Sequence, residues 1–223
     1  MRRSRIDRWV GQALWRRTVL ASLSQPLTAM QLARRDGLTL DRAGYMLWEM
    51  SQAGVVTCLT PRSRHCRVYT LTDDGHRCRE WVRKEMNLPV VPLDQPELNW
   101  CLYGWCCSRH RSAVIKALDR PMRAVHIRRR ARQRDAGLRM SAGNARDVLK
   151  VLARRRVARK TVVATGRKGR IRFPLYQLTR QGTLIRDMLL RAESVHQRAF
   201  PTDPSPWHDP SVAAGRDAPQ GSE

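Results

Sequence analysis

The side chains with most chemistry to offer are guanidiniums gathered in two runs. One is Arg128-Arg129-Arg130, continued by Arg132 and Arg134; the other is Gly166-Arg167-Lys168-Gly169-Arg170. A guanidinium stays charged at physiological pH and presents a fixed fork of donors that matches phosphate. The runs belong to a wider imbalance: residues 1–98 carry 16 Lys and Arg against 10 Asp and Glu, and 201–223 carry 1 against 4. Residues 99–200 carry 26 against 5, a local charge of +21 within a chain of +24. Codon bias toward GC-rich triplets explains at least half of the preference for Arg over Lys, but not the scarcity of acids in the second half. Such a segment repels itself and calls for a polyanion, nucleic acid first and an anionic membrane surface second.

Thiols are the other reactive groups. Six cysteines (58, 66, 78, 101, 106 and 107) are too irregularly spaced for a disulfide framework, and the chain is long enough to bury cores without staples. Cys101-x4-Cys106-Cys107-x2-His110 has zinc-like residue types, but no C-x2-C pair completes it, so buried helical thiols and no metal are expected. Phosphate-loop, dinucleotide and zinc-protease motifs are missing, and the histidines are scattered, so neither an enzyme nor a cofactor is expected. No apolar run approaches the ~18 residues of a membrane span. The basic start, MRRSRIDRWVGQALWRR, lacks the apolar core of a secretory signal, so a cytoplasmic, nucleoid-associated protein is expected.

The elements that must position these groups come twice. VLASLSQPLTAMQLAR at 19–34 is answered by VIKALDRPMRAVHIRR at 114–129. Met46-Leu47 with Met50 is answered by Val148-Leu149 with Leu152, and YTLTDDG at 69–75 by YQLTRQG at 176–182. Repetition of a unit this size implies two similar small domains. In the first, apolar spacing predicts a helix over 8–24, ended by Gln25-Pro26. Thr28 caps a helix over 29–35, closed by Asp36-Gly37, and Thr39 opens a third to about Ala53, stopped by Gly54. The period then changes to two, giving strands at 55–59 and 66–71 around the turn at 61–64, and Thr72 caps a last helix to about Met86. The second unit reads alike: helices at about 100–118, to Arg134, and from Ser141 to about Arg155, strands at 157–165 and 170–178, and a helix after Thr179. Its turn before Ser141 is longer, and Arg128 stands where the first unit has Ala33. The expected divisions are 1–87 and 99–199, a proline-spaced linker at 88–98, and a disordered tail at 200–223.

With this order, the sequence resembles the winged helix-turn-helix domains of regulators of the MarR and ArsR types. The likeness rests on Leu27-Thr28-x3-Leu32-Ala33, Leu47-x2-Met50-x2-Ala53-Gly54-Val55-Val56 and Tyr69-x-Leu71-Thr72-x2-Gly75, about 50 residues of the first unit. It implies a mainly α fold with small β-wings (α+β), two tandem winged helix-turn-helix domains, and double-stranded DNA as partner. In such domains the third helix enters the major groove and the wing touches backbone or minor groove.

Carried onto this chain, the resemblance makes Thr39 the cap of one recognition helix, with Arg42, Tyr45 and Met46 on the face opposite Leu47 and Met50. Arg42 could fork onto guanine and Tyr45 reach phosphate or stack on sugar. In the second unit Ser141 caps, and Asn144, Arg146 and Lys150 face the DNA, with Asn144 suited to adenine and Asp147 placed to orient Arg146. Arg62 and Arg64 sit on the first wing tip, and Arg167, Lys168 and Arg170 on the second, where arginine in a narrow minor groove reads shape. Arg128, Arg129 and Arg130 would extend the phosphate footprint.

The leading expectation is a sequence-specific transcriptional regulator whose two covalently joined readers imitate the half-sites of a dimer. The alternatives are a plasmid- or phage-type replication initiator on origin repeats, and a non-specific nucleic-acid or protein interaction module. Trp9 and Trp15, and Trp100 and Trp105, could form a homodimer surface or pack on the chain's own cores.

Overall fold

In a computed structural model of the chain, residues 5–89, 96–165 and 171–194 are described. They form ten helices and five strands, a mainly helical α+β arrangement with two small antiparallel sheets. The first unit contains α1 (Arg5–Gly11), α2 (Leu14–Ser22), β1 (Leu27–Thr28), α3 (Ala29–Asp36), α4 (Leu40–Gln52), β2 (Val56–Cys58), β3 (Val68–Leu71) and α5 (Asp73–Glu85). Its boundaries follow local chemistry. Thr28 and Gln31 form a reciprocal capping box on α3, and Gly37, at φ 65°, ends that helix in the left-handed region. On α4, Thr39 accepts from the Arg42 amide. Ala43, Met46, Leu47 and Met50 form its buried face, and each of the larger three contributes about 1.5–3 kcal/mol by leaving water.

The second unit contains α6 (Trp100–Cys106), α7 (Arg109–Ala117), α8 (Ala124–Arg134), α9 (Ala142–Arg154), β4 (Ala158–Thr165), β5 (Ile171–Leu178) and α10 (Arg180–Ser194). The repeat extends to individual contacts. Leu27 pairs with Tyr69 across β1 and β3, and a lone bridge joins their counterparts Met122 and Tyr176. Thr72 Oγ1 donates to the Gly54 carbonyl and accepts from the Gly75 amide; Thr179 Oγ1 donates to the Arg156 carbonyl and accepts from the Gly182 amide. The units differ in the hairpin, where β4 and β5 pair over eight positions and β2 and β3 over three. They differ too in the longer turn before α9, whose Leu138 and Met140 are buried in the core.

The expected single first helices are each broken, at residues 12–13 and 107–108. The same arginine of the repeat bridges both breaks. Arg16 donates to the Trp9 carbonyl at 2.8 Å and lies 4.0 Å from that indole's centre. Arg111 donates to the Trp105 carbonyl at 2.6 Å and lies 4.2 Å from its ring. Each guanidinium thus satisfies a carbonyl in the last turn of a short helix, where no helical partner follows.

Buried apolar residues form two clusters, one per unit, except that Val68 of β3 belongs to the second. The units therefore meet. Gly104 of α6 lies so close to the Cys66 carbonyl that a Cβ there would sit 2.5 Å from it. Gln31 Nε2 donates to the Tyr103 hydroxyl at 2.8 Å, and Gln25 Nε2 to the Met188 carbonyl at 3.0 Å. An expected extended linker gives no hint of this direct contact.

Candidate nucleic-acid interface

The exposed face of α9 is polar along its length. Ser141 Oγ accepts from the Asn144 amide at 3.0 Å and starts the helix. Ala145, Leu149 and Leu152 turn inward, which leaves Asn144, Arg146, Asp147 and Lys150 exposed. Asp147 pairs with Lys150 at 3.0 Å rather than with Arg146, against expectation, because the two are one turn apart on the same face. Both are well exposed, so the pair holds Lys150 weakly and can yield it to a phosphate. Arg154, Arg155 and Arg156 follow at the helix's C-terminal end, where the helix dipole favours positive charge. Arg155, the cap after α9, lies 4.4 Å from the Trp105 ring, so that indole has two guanidiniums against it, the other being Arg111 of α7.

The corresponding face of α4 has a different character. Thr39, Arg42 and Tyr45 are exposed as expected. Met46 is not: it is 2% exposed and packs in the core, because it precedes Met50 by four residues and shares its face. Exposed beside Tyr45 (59%) are Trp48 (53%) and Leu40 (51%), with the Tyr45 and Trp48 rings 5.7 Å apart. Neither Leu40 nor Trp48 is among the sequence-based site residues, although their spacing from the buried positions already puts them on the outer face. Two structurally equivalent helices thus present an aromatic surface in one unit and an ionic, amide-bearing one in the other.

The hairpins differ as well. Arg62, Arg64 and Arg67 are exposed on the first, a tip braced by Arg67 Nε on the Ser63 carbonyl and by the buried Thr60, whose hydroxyl accepts from the Val68 amide. Its base packs against α6, which limits how far this hairpin can move as a free arm. Arg167, Lys168 and Arg170 lie outside the described residues. On the flank of the second hairpin, Arg159 and Lys160 are exposed, with Arg159 donating to Gln177 Oε1. In the run on α8, Arg129 is exposed and Arg128 is half-buried, its Nε without a partner among the described residues. Arg130 is engaged internally by Asp119 and beside Met122. That run offers fewer cations to a polyanion than its sequence implies.

Three of the six thiols, Cys78, Cys106 and Cys107, are buried; Cys58 and Cys66 are half-buried and Cys101, against expectation, is exposed. Burial pushes the Cys106 thiol up to about 12, against the pull of Arg111 and Arg155, and burial also raises Cys107. Burial, then the neighbouring Asp7, lift Cys78 to about 12. Neutral thiols are poor nucleophiles and poor ligands. No group of three or more His, Cys, Asp or Glu among the described residues could hold a metal ion. Trp9 and Trp15 pack against the first cluster and Trp100 and Trp105 against the second, so the surface considered for a dimer serves the chain's own cores. No described helix is long and apolar enough to cross a membrane. Comparison with protein-family models, with curated proteins and with solved structures gave no match.

Proposed function

We propose that the chain is a sequence-specific double-stranded DNA-binding protein, most simply a transcriptional regulator, built from two tandem winged helix-turn-helix units. The observation that carries this reading is the exposed face of α9. Asn144, Arg146 and Lys150 project from a helix whose opposite side is locked into the core, in the half of the chain with charge +21. Asn and Arg are the side chains that pair bidentately with adenine and guanine edges. The repeated order of four helices, hairpin and helix, with α8 and the turn leading into α9, supports the winged-helix assignment. The long hairpin β4–β5 is then the principal wing.

The deciding experiment is selection of bound duplexes from a random pool at about 150 mM salt, followed by titration of the winner against scrambled DNA. A motif favoured by roughly 10³ or more establishes base readout. Equal binding to every duplex removes the regulator reading and leaves a charge-driven nucleic-acid protein.

A second reading applies to the first unit alone. The exposed Leu40, Tyr45 and Trp48 of α4 favour a protein contact over groove reading. In that case substitutions on α4 leave DNA affinity unchanged.

A further inference from the structure

Between the units lies a cleft that neither a groove-reading helix nor a wing explains. It consists of two adjoining hollows of about 350 and 750 Å³, within the size range of small-molecule sites. They share Arg34, Ser112, Lys116 and Glu193, so they are one continuous space. Helix α3 of the first unit forms one wall, and α7, α8 and α10 of the second form the others.

Its charges do not cancel. Five cations line it, Arg34, Arg35, Arg109, Lys116 and Arg134, against two carboxylates, Asp135 and Glu193. Arg35 is held by Asp36, which is not in the lining. Arg109 pairs with Asp135 at 3.3 Å, and Lys116 pairs with Glu193. Arg34 and Arg134, one from each unit, form no ion pair with a described residue, though Arg34 acts on Asp135 through its charge. The smaller hollow continues over apolar surface, with Met30, Leu189 and Ala192 in its lining. A cationic mouth over an apolar recess concentrates anions that carry a hydrophobic body.

We infer that this cleft binds a small organic dianion, with its charged head between Arg34 and Arg134 and its apolar part over Met30 and Leu189. Two guanidiniums brought from separate units are forks suited to a phosphate or a pair of carboxylates. Because the ligand would touch both units, it would also fix the angle between them. The site does not depend on the chain binding DNA, since no described residue of α4, α9 or either hairpin lines it.

Calorimetric titration of the full, nucleic-acid-free chain with phenyl phosphate tests this, with inorganic phosphate as the head alone. One phenyl phosphate per chain is expected, bound about tenfold more tightly than inorganic phosphate. Arg34→Ala and Arg134→Ala should each weaken it about tenfold or more. Ala136→Glu, which keeps both arginines and adds a carboxylate at the exposed rim, should do the same. Lys150→Ala, on α9, should leave it unchanged. Several weak equivalents per chain, or equal binding by all of these variants, would mean diffuse attraction to a basic protein and would overturn the site.

Discussion

Gln31 donates its side-chain N–H to the hydroxyl of Tyr103 at 2.8 Å, and this one amide serves both units. Its oxygen accepts from the Thr28 amide at 2.9 Å to cap α3, while its nitrogen reaches across to a phenol that is fully buried. Tyr103→Phe would leave a part-buried donor unsatisfied, at a cost of about 1–3 kcal/mol. The whole chain should melt in a single calorimetric transition, shifted down in the variant. Two separate transitions in the native chain would show that the contact does not couple the units.

Gly75 and Gly182 make the repeat testable. A Cβ on either would lie 2.0 Å from a backbone carbonyl oxygen, that of Val55 or Val157 respectively. Each carbonyl is held in place, since it also accepts from a threonine backbone amide, that of Thr72 or Thr179. Alanine at either place should therefore cost about 3 kcal/mol or more, at the severe end of overpacking. Denaturant unfolding of the two variants should give similar losses; a tolerated alanine at one site would mean that the units are not built alike there.

Much of this was legible because it is local. Thr28, Thr39, Thr72, Ser141 and Thr179 each precede a helix, and Gly37 follows one, so caps and stops could be read from neighbouring residues. Met46 was legible too: Ala43, Met46, Leu47 and Met50 are spaced as one helical face, and assigning Met46 to the opposite face misreads that period. The breaks at 12–13 and 107–108 were not, because apolar spacing continues through them and the contacts of Arg16 and Arg111 that span them leave no periodic trace. Strand β1 has only two residues, too few to show alternation. The inter-unit contact joins residues far apart in sequence, such as Gln25 and Met188, and leaves no periodic trace.

Asp135 gives the chain a small acid-sensitive contribution to stability. The hydrogen bond from Arg109 is the chief cause that holds its carboxyl below the ordinary 3.8, aided by the charges of Arg109 and Arg34 and the Gly137 amide. A depressed folded value means that the stabilisation is present above pH 3.8 and fades as pH falls through the folded value. The pair is more than a third exposed, so its worth is at most about 1 kcal/mol. Asp135→Asn should be less stable than the native chain at neutral pH, by urea unfolding. The gap should close in acid, and one that persists unchanged would assign the cost to packing instead.

If α9 reads bases and α4 does not, the two helices will respond differently to alanine in the intact chain. Arg146→Ala and Asn144→Ala should each cost about 1–3 kcal/mol on the selected duplex and far less on scrambled DNA, because a base-edge contact exists only on the right sequence. Lys150→Ala should weaken binding to both duplexes alike and lower the salt slope by about one, the signature of a phosphate contact. Tyr45→Ala and Trp48→Ala remove exposed rings that pack on little else, so they should leave folding intact. Fluorescence anisotropy with one labelled duplex of each kind, at several salt concentrations, measures all of these. Loss of sequence preference on changing Trp48 and Tyr45, but not on changing Arg146, would reverse the roles of the two helices and make the aromatic face of α4 the reader.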